Sequence, residues 1–169
     1  ASLAAPTTAT VTTLRFASVV GAHVPSPLGR LLRLPVIPVD PLSRARFQVL
    51  ADDDAARAVL HAATHGHHGA VNIAAEEPTT IGAVARQGRR VIAPVVPYTW
   101  RVAAQLTTLA GAPLPDHVIE LLRHGRVANT LVDDVEYRPE HSTSEVIANL
   151  FSWPSVVRIE KRHLETQVA

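Results

Sequence analysis

The sequence predicts an α/β domain, and three observations carry that expectation. Short runs of β-branched and apolar residues alternate with longer segments whose apolar residues recur at helical spacing. The helical segments start at Asp, Thr or Ser and stop at Gly. The stretch Val91 to Val96 lacks polar alternation, the pattern of a strand buried on both faces of a parallel sheet.

Val11 to Phe16 (VTTLRF) reads as a buried strand. Val19, Val20 and Gly21 follow, and Pro25 to Pro41 reads as a proline-rich loop. Short extended pieces are expected at Val36 to Val39 and at Phe47 to Leu50. Asp52, Asp53 and Asp54 then open an Ala-rich helix. An aspartate there caps free N–H groups and suits the positive end of the helix dipole, a better account than paired acid/base carboxylates. Val59, Ala62 and Ala63 are its expected buried face, with Gly66 or Gly69 as its stop. Ala70 to Ala75 is a second strand, again apolar enough for burial on both faces.

Thr79 or Thr80 can cap the next helix, with Ile81, Val84 and Ala85 inward and Gly88 as terminator. After Val91 to Val96, Pro97 fits the first turn of a helix with Trp100, Ala103, Leu106 and Ala110 on one side, ended by Gly111. Asp116 starts a short helix with Val118, Leu121 and Leu122, closed by Gly125. Ser142 and Glu145 have capping-box spacing before Val146, Ile147 and Leu150, and Pro154 ends that helix. Residues 1–153 form the expected domain and 154–169 a tail with few apolar residues. There is no internal repeat.

Composition narrows the function classes. With 47% of its 169 residues hydrophobic, the chain can fill one core. A net charge of +1 argues neither for nor against a nucleic-acid partner, while a content of only 4% aromatic residues removes the stacking platforms that single-strand binders use. No nucleic-acid partner is expected. Cysteine is absent, so disulfides and thiolate metal sites are excluded. No apolar run reaches the roughly 18 residues a membrane span needs. Ala1 to Pro6 lacks the basic start of a signal peptide. No membrane partner and a cytoplasmic setting are the expectations. Methionine is absent too, which fits either a processed amino terminus or a piece of a longer chain, and the motifs favour the piece. Lys161 is the single lysine among 16 basic residues, a bias that fits a GC-rich bacterial coding sequence.

His61 and His65 lie four apart on a helix, with His67 and His68 just beyond. Imidazoles at that spacing can share a metal. No carboxylate stands at a fixed offset and no HExxH occurs, so an exposed polar helix end is the expected explanation and no metal ligand is assigned.

Three segments then occur in a telling order. Leu14-Arg15-Phe16-Ala17-Ser18-Val19-Val20-Gly21 is similar to L-R-P-x-x-V-Y/V-G, with Phe16 at the usual proline. Phe47-Gln48-Val49-Leu50-Ala51-Asp52-Asp53-Asp54-Ala55-Ala56-Arg57-Ala58 is similar to a helix start reading F-V-H-V-D-D-V-A-R-A, with Ala51 at the usual histidine. Gly69-Ala70-Val71-Asn72-Ile73-Ala74 is similar to G-x-x-N-x-A/G. Arg138-Pro139 followed by Ser142 resembles P-r-x-t-t/s before a last helix. Together, from about Val11 to Trp153, the chain resembles the carboxyl-terminal half of extended short-chain dehydrogenases/reductases, the NAD-dependent epimerase/dehydratase group.

The resemblance implies the late strands of a Rossmann-like parallel sheet plus a small, mainly helical substrate-binding lobe. It implies a parent enzyme that oxidises a substrate hydroxyl transiently and returns the hydride, using NAD or NADP and a small-molecule, nucleotide-sugar substrate. The family's G-x-x-G-x-x-G turn and Y-x-x-x-K pair do not occur in the 169 residues. No catalytic residue is therefore assigned, and no cofactor is expected for this chain alone. By resemblance, Phe16 and Ala17 face the cofactor and Ser18 and Val19 line the substrate pocket at a strand end. Arg46 and Arg126 stand where a guanidinium fork could take a diphosphate, or else they are solvated surface arginines. The expected partner is the amino-terminal half or a second copy. The alternative is a non-catalytic small-molecule or protein binding module derived from the same fold.

Overall fold

Thr12–Phe16, rich in β-branched and apolar residues, forms strand β1. It pairs in parallel with β5 (Gly69–Ile73), Thr12 opposite Gly69 and Phe16 opposite Ile73. Strand β2 (Ser18–Val20) pairs in parallel with β4 (Val49–Ala51), and β3 (Val36–Val39) with β6 (Val91–Pro94). The computed structural model describes residues 11–22, 24–66, 69–96, 99–127 and 137–152. Pro97, His67, His68, Pro154 and the tail 154–169 lie outside them.

Parallel partners need long crossovers, and among the described residues six helices share this space. They are α1 (Pro27–Arg33), α2 (Asp52–His65), α3 (Ile81–Gln87), α4 (Trp100–Leu109), α5 (Asp116–His124) and α6 (Thr143–Ser152). The fold class is the expected α/β, with every strand pair parallel. The larger core joins Val20, Val39 and Val49 of the strands to Leu31, Val84, Trp100, Leu122 and Ile147 of the helices. A smaller one joins Leu50, Val71 and Ile73 to Ala58 of α2.

Several local signals act as read. Thr80 caps α3, its Oγ1 accepting from Ala83 N at 3.2 Å. Ile81, Val84 and Ala85 are buried. Gly66 ends α2 in the left-handed region. The capping box of α6 is complete: Ser142 Oγ accepts from Glu145 N at 3.2 Å, and Glu145 Oε2 accepts from Ser142 N at 2.8 Å. The bonds that Ser142 N and Ser142 Oγ donate to Glu145 Oε2 hold the Glu145 carboxyl below its usual range. Ser142→Ala is expected to cost about 0.5–2 kcal/mol at neutral pH, read by urea unfolding. Because the folded carboxyl titrates low, the box contributes above the ordinary carboxylate range and fades as pH falls through it. The gap between variant and parent should therefore shrink in acid; an unchanged gap would contradict the assignment.

Four expectations are corrected. A helix, α1, replaces the first part of the proline-rich loop. Ser26 Oγ accepts from Gly29 N, Pro27 occupies the first turn, and Leu28, Leu31 and Leu32 form a buried stripe. Val11 to Phe16 and Val91 to Val96 are not buried on both faces. Phe16, Val91 and Ile92 are exposed, because the described strands form three separate two-stranded sheets. On α2 the buried residues are Asp54 and Ala58, while Val59 is 52% exposed. On α4 they are Trp100 and Thr107, while Leu106 is 61% exposed. In both helices, contact with the core selects a stripe other than the most apolar one.

Candidate functional site

A cleft of about 700 Å³ opens where the chain changes sheets. Ala17 N donates to Ile73 O at 2.9 Å and so ends the β1–β5 ladder, after which Ser18 starts the pairing with β4. Parallel sheets build ligand crevices beyond the carboxyl ends of their strands, at such a change of partner. Arg15, Phe16, Ala17, Ser18, Val19 and Asn72 form this wall. Val24 to Leu28, leading into α1, form a second. The third is α5, through His117, Val118, Glu120, Leu121 and His124, with Gly125 and Arg126 after it. Gln48 closes the floor; it is 4% exposed, and its Nε2 donates to Ala75 O at 2.7 Å.

The end of α5 is held by close backbone contact. Gly125 has φ +72 and ψ 169, a combination open essentially to glycine. A Cβ there would lie 2.5 Å from Arg46 O and 2.6 Å from Arg46 N. The absence of a side chain lets Arg126 N donate to Arg46 O at 2.8 Å. Ser43 Oγ adds a bond to Arg123 O at 3.0 Å.

Five of the six residues singled out from the sequence line this one cleft: Phe16, Ala17, Ser18, Val19 and Arg126. Arg46 does not line it. Its backbone abuts Arg126, but its exposed guanidinium lies 3.5 Å from Pro78 O. Arg15, Gln48, Asn72, His117, Glu120 and His124 were missed. The spacing of His117, Glu120 and His124 on one helix face was the available signal.

A second polar cluster sits on the far side of α2. The N-cap of α2 is Ala51, with no side-chain cap bond, so Asp54 does not cap its own helix. Its fully buried carboxylate instead accepts from Glu140 N at 3.2 Å, His141 N at 3.1 Å and His141 Nδ1 at 3.0 Å. Arg57 pairs with Glu140 and lies 3.9 Å from Asp54, and its bond to Glu140 raises the guanidinium pKa. Tyr137 Oη donates to Asp54 O at 2.7 Å. Burial, then the neighbouring Asp54 carboxylate, pushes the phenol up to about 12. This cluster fastens the lead-in of α6 to α2. Nearby, the His61 and His65 rings stack at 4.1 Å. Among the described residues no three His, Cys, Asp or Glu converge as a metal set, and no helix is long and apolar enough to cross a membrane.

No protein-family model matches the chain. Uncharacterized proteins of Mycobacterium tuberculosis and Mycobacterium bovis are each 30% identical to it over 144 residues, 83% of this chain and 38% of theirs. Among solved structures, the UDP-N-acetylglucosamine 4-epimerase of Bacillus cereus superposes with a TM-score of 0.55 at 14% identity, over 85% of this chain and 47% of that one. The UDP-glucose 4-epimerase of Thermotoga maritima, solved with UDP-glucose, gives 0.52 at 18% identity over 84% and 45%. RMD from Pseudomonas aeruginosa, solved with NADPH, gives 0.52 at 13% identity over 83% and 47%. The chain thus spans less than half the length of the relatives and structures it matches. At these identities the structural likeness is one of fold, a Rossmann-like α/β arrangement.

Proposed function

We propose that this chain is the substrate-side portion of an NAD(P)-dependent epimerase or dehydratase-like enzyme, and that its cleft holds a nucleotide sugar. The observation that carries this is the composition of the cleft. Arg15 and Arg126 supply guanidinium groups for a diphosphate. Gln48 and Asn72 supply amides, and Phe16, Val19, Leu28, Val118 and Leu121 supply apolar walls for a ring. The exposed apolar residues Phe16 on β1 and Val91 and Ile92 on β6 favour a covering segment or a second copy over a free-standing module.

The residues described do not fit a dinucleotide by themselves. Pyrophosphate sits on a glycine-rich turn at a helix N-terminus. Here β4 runs directly into α2, whose first turn holds Asp52, Asp53 and Asp54, and three carboxylates repel a phosphate. Phe16 and Ala17 could contribute no more than a wall toward a cofactor held by other residues.

Calorimetric titration of the 169-residue chain tests the proposal. UDP-glucose is expected to bind one-to-one, and Arg126→Ala to weaken it by about tenfold, as loss of a charged hydrogen bond would. NAD is expected to give no one-to-one complex at micromolar or tighter affinity. Failure of UDP-glucose to bind would overturn the nucleotide-sugar reading, and tight NAD binding would overturn the division of labour.

A further inference from the structure

The wall formed by α5 carries chemistry that the nucleotide-sugar reading does not use. His117, Glu120 and His124 fall at intervals of three and four, on one face of the helix, and all three line the cleft. Besides this face, the charged groups lining the cleft are Arg15 on β1 and Arg126 after α5. Arg44 and Arg46 lie on the segment fastened to the end of α5 by Ser43 and by the Arg46–Arg126 backbone bond. On the helix itself Asp116 and Arg123 complete the set. Among the lining groups Glu120 is the single acid, against two arginines and two histidines.

We infer that His117 and His124 form a protonatable anion-binding row in the cleft, so that ligand affinity rises as the medium becomes acidic. This rests on the reading of the cleft as a nucleotide-sugar site. Imidazole is the side chain whose charge ordinarily changes between about pH 5 and 8. A diphosphate bound in the cleft that His117 and His124 line attracts an imidazolium. Protonation and anion binding therefore assist each other, and by linkage the complex binds more protons than the free chain. A neutral imidazole remains a hydrogen-bonding group, so the site keeps a weaker affinity above neutrality.

The probe is UDP-glucose, a diphosphodiester whose own charge is constant across this range. Its affinity is expected to rise about three- to tenfold from about pH 8 to about pH 5.8, the scale of two partly exposed charge contacts. The double variant His117→Gln, His124→Gln should fold like the parent, since both residues are exposed, and should show a flat profile. Arg126→Ala should bind less tightly at both pH values with the ratio kept. A flat profile for the parent chain, or an unchanged slope in the double variant, overturns the inference while the nucleotide-sugar reading stands. If UDP-glucose binds at neither pH, that reading fails, and inorganic sulfate, also of constant charge, decides the inference separately. Acid-favoured sulfate binding that perturbs the His117 and His124 ring signals in NMR, and is lost in the double variant, supports it. No such binding overturns it.

Discussion

Asp54→Ala is expected to destabilise the chain by about 2–4 kcal/mol, because several donors lose one buried acceptor at about 1–3 kcal/mol each. A helix cap would be worth only about 0.5–2 kcal/mol. The larger figure follows from what the substitution abandons. Glu140 N and His141 N, both in part-buried bonds, lose their acceptor, and an N–H left unpaired away from water costs about 1–3 kcal/mol. His141 Nδ1 loses its partner as well. The lead-in of α6 is then tethered to α2 mainly by the Tyr137 bond to the Asp54 backbone and by the Arg57–Glu140 pair, which is exposed and of little worth. Urea unfolding at neutral pH measures the loss. A change below about 1 kcal/mol would show that the carboxylate is dispensable. Asp54→Asn keeps the shape and one carbonyl acceptor, and should recover part of the loss.

Gly125→Ala is expected to cost about 2–5 kcal/mol, combining a backbone conformation reserved for glycine with overpacking against a rigid neighbour. The atoms that a Cβ would meet are Arg46 O and N, and backbone cannot rotate away as a side chain could. Relief requires the end of α5 to move off the Arg46 segment. That breaks the Arg126 N to Arg46 O bond and shifts Arg126 and His124 on the cleft wall. The variant should therefore lose UDP-glucose affinity as well as stability, whereas Gly82→Ala, with open space around the added methyl, should lose neither. Thermal unfolding and titration of both variants make the comparison. Parent-like behaviour of the Gly125 variant would contradict the close approach.

The same contrast between near and distant contacts separates what could be read from the chain from what could not. The Ser142–Glu145 box, the Thr80 cap and the Gly66 stop were legible because each signal acts within one helical turn. The buried stripes of α3 and α6 were legible because strong apolar periodicity and core contact agree there. In the cleft, Phe16 to Val19 came from the order of motifs, and Arg126 from its guanidinium just after Gly125. The spacing of His117 and His124 marks one face of α5, but only the fold shows that this face lines a cleft together with β1.

The sequence by itself determined the α/β class and most helix ends, through periodicity, caps and terminators that depend on neighbours in the chain. Only the tertiary structure decided that α2 turns Asp54 inward rather than Val59, and that α4 leaves Leu106 in solvent. It alone decided that Asp54 serves N–H groups 86 and 87 residues away. The physical reason is that a buried carboxylate is tolerated only where enough donors meet it. Here those donors reach Asp54 only once α2 and the lead-in of α6 have packed together.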